Sequence, residues 1–258
     1  MSQFYWLIFS FLCYTSSIGD SLMLKAIFFD LDGTLLPMDE KVFVPYYFNI
    51  LHPTVKDLGY QDKDLLYKTI WAGVYAMYQN DGKRNNDEIF WDAFAKVYGE
   101  ESRLHREVFD HFYATEFAKA KAICKENPLA REIVNFCKKH VEKLILTTNP
   151  IFPLPAQKMR LSFIGLNYED FDFVSDYENF NYCKPNPHYF LEIMKRFSLK
   201  PEECLLFGNN QIEDGDCASS VGIKTYLVKG FIIYSEKAKG QYEEIEMKDI
   251  IPTIEKYL

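Results

Sequence analysis

The sequence has no basic excess. Its 29 Lys and Arg face 37 Asp and Glu, giving a net charge of -8. General binders of nucleic acid or of anionic membranes carry the opposite balance, so neither is expected as a partner. An anionic substrate is still compatible, because a bound divalent cation can reverse the local field. The six cysteines form no CxxC pair and no His/Cys cluster at zinc spacing. They read as small buried hydrophobes of a protein in a reducing cytoplasm. There is no internal repeat and no low-complexity tract. Residues 4–14 are apolar but too short to span a bilayer, and no Lys or Arg precedes Lys25, so the positive start of a signal peptide is missing. Residues 1–22 are therefore expected to be an upstream extension with no part in the fold.

What the sequence does have is core material. Of 258 residues 48% are hydrophobic and 17% aromatic, enough for one large domain or two small ones. The stretch Ala26-Ile27-Phe28-Phe29-Asp30-Leu31-Asp32-Gly33-Thr34-Leu35 organises the rest. An apolar run over 24–29 predicts a buried strand. Asp30 and Asp32 follow its carboxyl end, where open α/β sheets place their chemistry. Two adjacent acids repel, which suits a bound cation or an active site.

From Leu36 to Asn127 apolar residues recur at helical spacing: Trp71, Val74, Tyr75 and Tyr78, then Phe90, Phe94 and Val97. A helical insert packed on itself is predicted, with these aromatics as core rather than a ligand site. Strands are then expected over 143–146, 172–174, 203–207 and 223–228, and helices from Asn127-Pro128, over 187–197 and over 213–221. The tail, 230–258, ends in a helix carrying Ile250, Ile251, Ile254 and Leu258. Strands alternating with helices predict an α/β fold: a Rossmann-like parallel sheet with helices on both faces and an inserted helical cap. The division expected is core over 23–36 and 128–258, and cap over 37–127.

Polar clusters follow strands or start helices at Asp30/Asp32, Thr147/Thr148/Asn149, Lys184, and Asn209/Asn210/Glu213/Asp214. In a parallel sheet they converge on one edge, and together they could perform phosphoryl transfer. The first cluster resembles the opening motif, DxDGT[LV] after a hydrophobic strand, of the haloacid dehalogenase-like hydrolase superfamily. Leu144-Ile145-Leu146-Thr147-Thr148-Asn149 is similar to its second motif. Lys184-Pro185-Asn186-Pro187 is similar to the third, and Gly208-Asn209-Asn210-Gln211-Ile212-Glu213-Asp214 to the fourth. The insert resembles the family's C1-type cap.

The resemblance implies roles. Asp30 attacks phosphorus, forming an aspartyl-phosphate, and Asp32 protonates the leaving oxygen and then activates water. Thr148, with Thr147 as fallback, bonds a phosphoryl oxygen; Asn149 and Lys184 also meet the substrate. Mg²⁺ lies between Asp30, the Asp32 carbonyl and the fourth motif, through Asn209 and Asp214. The fourth motif departs from the family, with Asn209 and Asn210 where an acid is usual, so weaker Mg²⁺ binding is expected. The function implied is a Mg²⁺-dependent phosphatase of a small phosphorylated metabolite, monomeric or homodimeric. A phosphomutase fits the same motifs. A dehalogenase would not have Asp32, and a non-catalytic binding or regulatory protein would fit the Asn pair.

Overall fold

The computed structural model describes residues 23–258, so the expectation for 1–22 lies outside the described residues. Strand β1 (Ala26–Phe29) is buried along its whole length. It pairs in parallel on both sides, with β2 (Lys143–Leu146) and with β4 (Cys204–Gly208). A strand covered on both faces needs a continuous apolar run rather than an alternating one, as this sequence supplies. With β3 (Phe173–Val174), β5 (Lys224–Val228) and β6 (Glu243–Ile245) the sheet has six parallel strands in the order β3-β2-β1-β4-β5-β6. Phe29 sits level with Leu146 on one side and Phe207 on the other. Asp30, Thr147 and Gly208 therefore leave the sheet side by side. The chain winds outward in both directions from β1, which makes its carboxyl end the crevice of the fold.

Ile27 and Phe29 face one apolar cluster and Ala26 and Phe28 the other, so each pleat of β1 is packed. The Phe28 side is covered by α7 (His188–Phe197) through Phe190 and Ile193. The Phe29 side meets α5 (Ala130–His140), α6 (Leu154–Phe163) and the C-terminal helix Ile250–Glu255.

Between β1 and β2 the chain makes α1 (Glu40–Val55), α2 (Lys63–Tyr78), α3 (Asn86–Tyr98) and α4 (Arg106–Ala114). Asp39 and Asp62 begin the first two, each accepting backbone N–H bonds through its side chain. The packed row of α2 is Leu66, Ile70, Gly73 and Met77. At Gly73 an added Cβ would lie 2.5 Å from the Phe90 ring, so the glycine sets how closely α2 and α3 approach. Of the predicted rows Val74, Phe90 and Phe94 are packed as expected, and the others are not. Tyr75 is 66% exposed and Val97 47%. Trp71 and Tyr78 face a cavity instead of the helices' own core. Both rows are rich in apolar residues, and local spacing does not separate them.

The helix expected over 213–221 is mostly a widened π-type turn, Gln211–Asp216, with α-helix only at Cys217–Ser219. Asn210 takes Ile212 N–H and Glu213 N–H on its side chain, while its carbonyl takes both Asp214 and Gly215 N–H. That shared acceptor widens the turn. The tail holds the expected helix, although Leu258 is 48% exposed. It also holds β6, an edge strand whose acidic Glu243 and Glu244 gave no apolar signal. Among the described residues no helix is long and apolar enough to cross a membrane. Cys137, Cys183, Cys204 and Cys217 are free and buried, and Cys124 is free and partly exposed.

Candidate active site

The loop after β1 closes on itself through Gly33 N–H to Leu36 carbonyl and Leu36 N–H to Leu31 carbonyl, both 2.8 Å. Gly33 turns at φ +81°, and a Cβ there would stand 2.1 Å from Nδ2 of Asn209. Glycine is thus required both by the turn and by the approach of the fourth-motif loop. The turn holds Asp30 buried, with Thr34 Oγ1 donating to Oδ2 at 3.1 Å.

Lys184 is almost wholly buried and bridges two carboxylates. Its Nζ donates to Asp30 Oδ1 at 2.9 Å and to Asp214 Oδ1 at 2.6 Å. Asp214 Oδ2 in turn accepts Asn209 and Asn210 N–H at 2.9 and 3.0 Å. Its carboxylate tucks under the end of β4, where a Cβ on Gly208 would collide with it at 2.4 Å. Burial pushes Asp30 up to about 8; Lys184 pulls against that, while Asp214 and Asp32 add to it. Burial alone would lower Lys184, but the charges of Asp214 and Asp30 outweigh it and hold the ammonium well above its usual range.

Asp32 is held differently. Its Oδ2 accepts from Nη1 of Arg160, which is completely buried, and its Oδ1 is buried and finds no partner among the described residues. Arg160 is fixed in turn by Gln157 Oε1 and by the Phe152 ring, 4.4 Å from the guanidinium carbon. Burial raises Asp32, and Arg160 and then Lys184 restrain the rise.

Thr147 Oγ1 turns back to Phe29 carbonyl at 3.2 Å, whereas Thr148 lines the cavity beside Asp32. Asn149 is engaged on every side: Nδ2 donates to Glu213 Oε2, Lys184 carbonyl and Tyr78 Oη, and Oδ1 accepts Lys184 N–H. It ties the second motif to the third rather than offering a free amide to a substrate. Glu213 also accepts from Tyr78 Oη at 3.0 Å. Arg160, Tyr78 and Glu213's link to Asn149 were not legible in the sequence. Arg160 lies two residues from Lys158 on the same helix, and only the tertiary fold distinguishes the buried cation from the other.

The donors suit a hard divalent cation. Asp30, Asp32, Glu213 and Asp214 outnumber Lys184 and Arg160, all the candidate ligand atoms are oxygens, and Asp32 Oδ1 has no partner among the described residues. Asn209 commits Nδ2 to Phe231 carbonyl at 2.8 Å, which leaves its amide oxygen as the neutral donor. Among the described residues no three His, Cys, Asp or Glu are gathered closely enough to form a metal cage by themselves.

A buried Asp30–Lys184–Asp214 array at the carboxyl edge of β1, with Asp32 two residues on, defines the class. The chain belongs to the haloacid dehalogenase-like hydrolases, whose family model matches residues 24–222. It is 24% identical over 241 residues to a pyrophosphatase, PpaX, of Bacillus thuringiensis, covering 90% of this chain and 97% of that one. It is 31% identical over 134 residues to a glyceraldehyde 3-phosphate phosphatase of Pyrococcus furiosus, covering 50% of this chain and about half, 51%, of that protein. The fold matches a magnesium-bound hydrolase of the family, YfnB of Bacillus subtilis, with a TM-score of 0.55 at 20% identity, covering 90% of this chain and 99% of that one.

Proposed function

We propose that the protein is a phosphatase that hydrolyses a small phosphomonoester through an aspartyl-phosphate on Asp30. The observation that carries this reading is the Lys184 ammonium held between Asp30 and Asp214, beside a partly exposed Asp32 that lines a cavity. Lys184 fixes one oxygen of Asp30 and Thr34 the other, which orients the carboxylate for in-line attack on phosphorus. Asp32 gives its proton to the leaving oxygen and then takes one from the water that attacks the aspartyl-phosphate. Its raised pKa supports the first duty, and Arg160, by stabilising the anion, supports the second. Thr148 and Lys184 contact the equatorial oxygens.

Asp30, Asp32, Asn209 and Asp214 are the residues that would hold Mg²⁺. Bound there, the ion supplies charge that offsets the repulsion between carboxylate and phosphate. Asp32 supports phosphorus rather than carbon as the atom attacked. The free cysteines support a reducing, cytoplasmic setting. The test is hydrolysis of 4-nitrophenyl phosphate with Mg²⁺, with Asp30→Asn as control. Equal rates in the two proteins would refute the proposal and favour a binding role.

A further inference from the structure

The cavity that opens beside Asp32 and Thr148 runs between the inserted helices and the sheet edge, with a volume of about 180 Å³. Its walls are aromatic: Phe43 and Tyr47 from α1, Trp71 from α2, Trp91 from α3, and Phe152 after β2. The hydroxyls of Tyr47 and Tyr113, which could have offered a polar contact, bond each other at 2.6 Å. That of Tyr78 donates to Glu213. Among the described residues no Lys, Arg or His lines the space, and its charged lining is Asp32, Glu40 and Glu213. Desolvation in the cleft, then the charges of Glu213, Asp32 and Asp214, push Glu40 up to about 7, a sign of how much negative charge already surrounds it.

A phosphatase places the phosphoryl group at the nucleophile and the rest of the ester wherever the cavity leads. Here it leads into apolar walls with an acidic mouth. An apolar protein cavity of about 150 Å³ accommodates benzene, so this one has room for a group of that size. A carboxylate or second phosphate would lose its water, meet no cation and face three acids. We infer that the protein selects phosphomonoesters whose leaving group is a compact apolar body the size of a single ring carrying no negative charge, and rejects those with a second anion. This rests on the phosphatase reading above.

The test compares kcat/KM of the full chain with Mg²⁺ on benzyl phosphate, 2-phosphoglycolate and pyrophosphate. Benzyl and glycolate esters both release a primary alcohol, so the contrast between them reads the cavity rather than the chemistry. Benzyl phosphate is expected to lead both by about 100-fold or more, the scale of discrimination a pocket gives. Phosphoglycolate or pyrophosphate within threefold of it would overturn the inference while leaving the phosphatase reading intact. Glu40→Lys is expected to narrow the gap by raising the rate on phosphoglycolate; an unchanged ratio would count against the acidic mouth.

Binding gives a readout without turnover. Two of the chain's three tryptophans, Trp71 and Trp91, line the cavity. Benzyl alcohol should change their emission saturably in the parent and not in Val74→Trp, which fills the space. No saturable change in the parent would overturn the inference. Saturable binding with no hydrolysis of any ester, 4-nitrophenyl phosphate included, would support the cavity's preference and refute the phosphatase.

Discussion

The guanidinium of Arg160, buried on α6, reaches Asp32, and among the described residues neither group has another charged partner within bonding distance. The pairing bears on both steps assigned to Asp32. Without the cation, the carboxyl keeps its proton to a higher pH, so the step that needs its anion is delayed. Arg160→Gln is expected to lower kcat at neutral pH by about 100-fold, within the range that general acid–base catalysis is worth. The limb of the pH–rate profile that reports ionised Asp32 should also move to higher pH, and Arg160→Lys should restore part of both. A lower rate with an unmoved profile would mean that Arg160 acts only through packing.

Lys184 is more deeply committed. Replacing it with Met keeps the stem and leaves Asp30 and Asp214 facing each other without a cation. Breaking a buried pair of this kind costs about 3–5 kcal/mol. Denaturant unfolding should show that loss. Turnover should fall by about 10²–10³, the scale of one electrostatic contact to a transition state. Loss of activity without loss of stability would place the lysine outside the array described.

Asn209→Asp probes the fourth motif. The present amide donates to Phe231 carbonyl, and a carboxylate there would set oxygen against oxygen. The variant should melt lower than the parent in EDTA, and Mg²⁺ should raise its melting temperature more than the parent's. Half-saturation of activity by Mg²⁺ should fall. An unchanged Mg²⁺ requirement would remove Asn209 from the metal's surroundings.

Glu178 offers a pH test at a carboxylate outside the cavity lining. Burial, and then the charge of Asp176, push it up to about 8 from 4.5, although it accepts Leu154 N–H at the start of α6. A carboxyl raised in the folded state binds its proton there after the unfolded chain has released it. Its stabilisation is present below pH 4.5 and is lost as pH rises through about 8. Glu178→Gln should match the parent in melting temperature near the acid end. It should become progressively the more stable protein toward pH 9. Parallel curves would refute the assignment.

The strands were readable because a central parallel strand must be apolar on both faces. Ala26–Phe29 and Lys143–Leu146 announce themselves by composition alone. The convergence of Asp30, Thr148 and Lys184 followed from topology, since parallel strands share one carboxyl edge. Three things were hidden. Arg160 has no local mark, because what makes it special is burial decided by Phe152 and Gln157. Tyr75 and Trp71 look like core by spacing, because a helix flanked by a cavity carries apolar residues on more than one row. Glu243–Ile245 joins the sheet through its backbone, and backbone pairing at an edge leaves little trace in side-chain pattern.

Tyr78, at the end of α2, holds Glu213 and Asn149 at once, and Glu213 adjoins Asp214. Any ligand that levers α2 away from the sheet must break both bonds together and slacken the loop on which Lys184 leans. Tyr78 thereby makes one wall of the cavity continuous, through Asn149 and Glu213, with the side chains that brace Lys184.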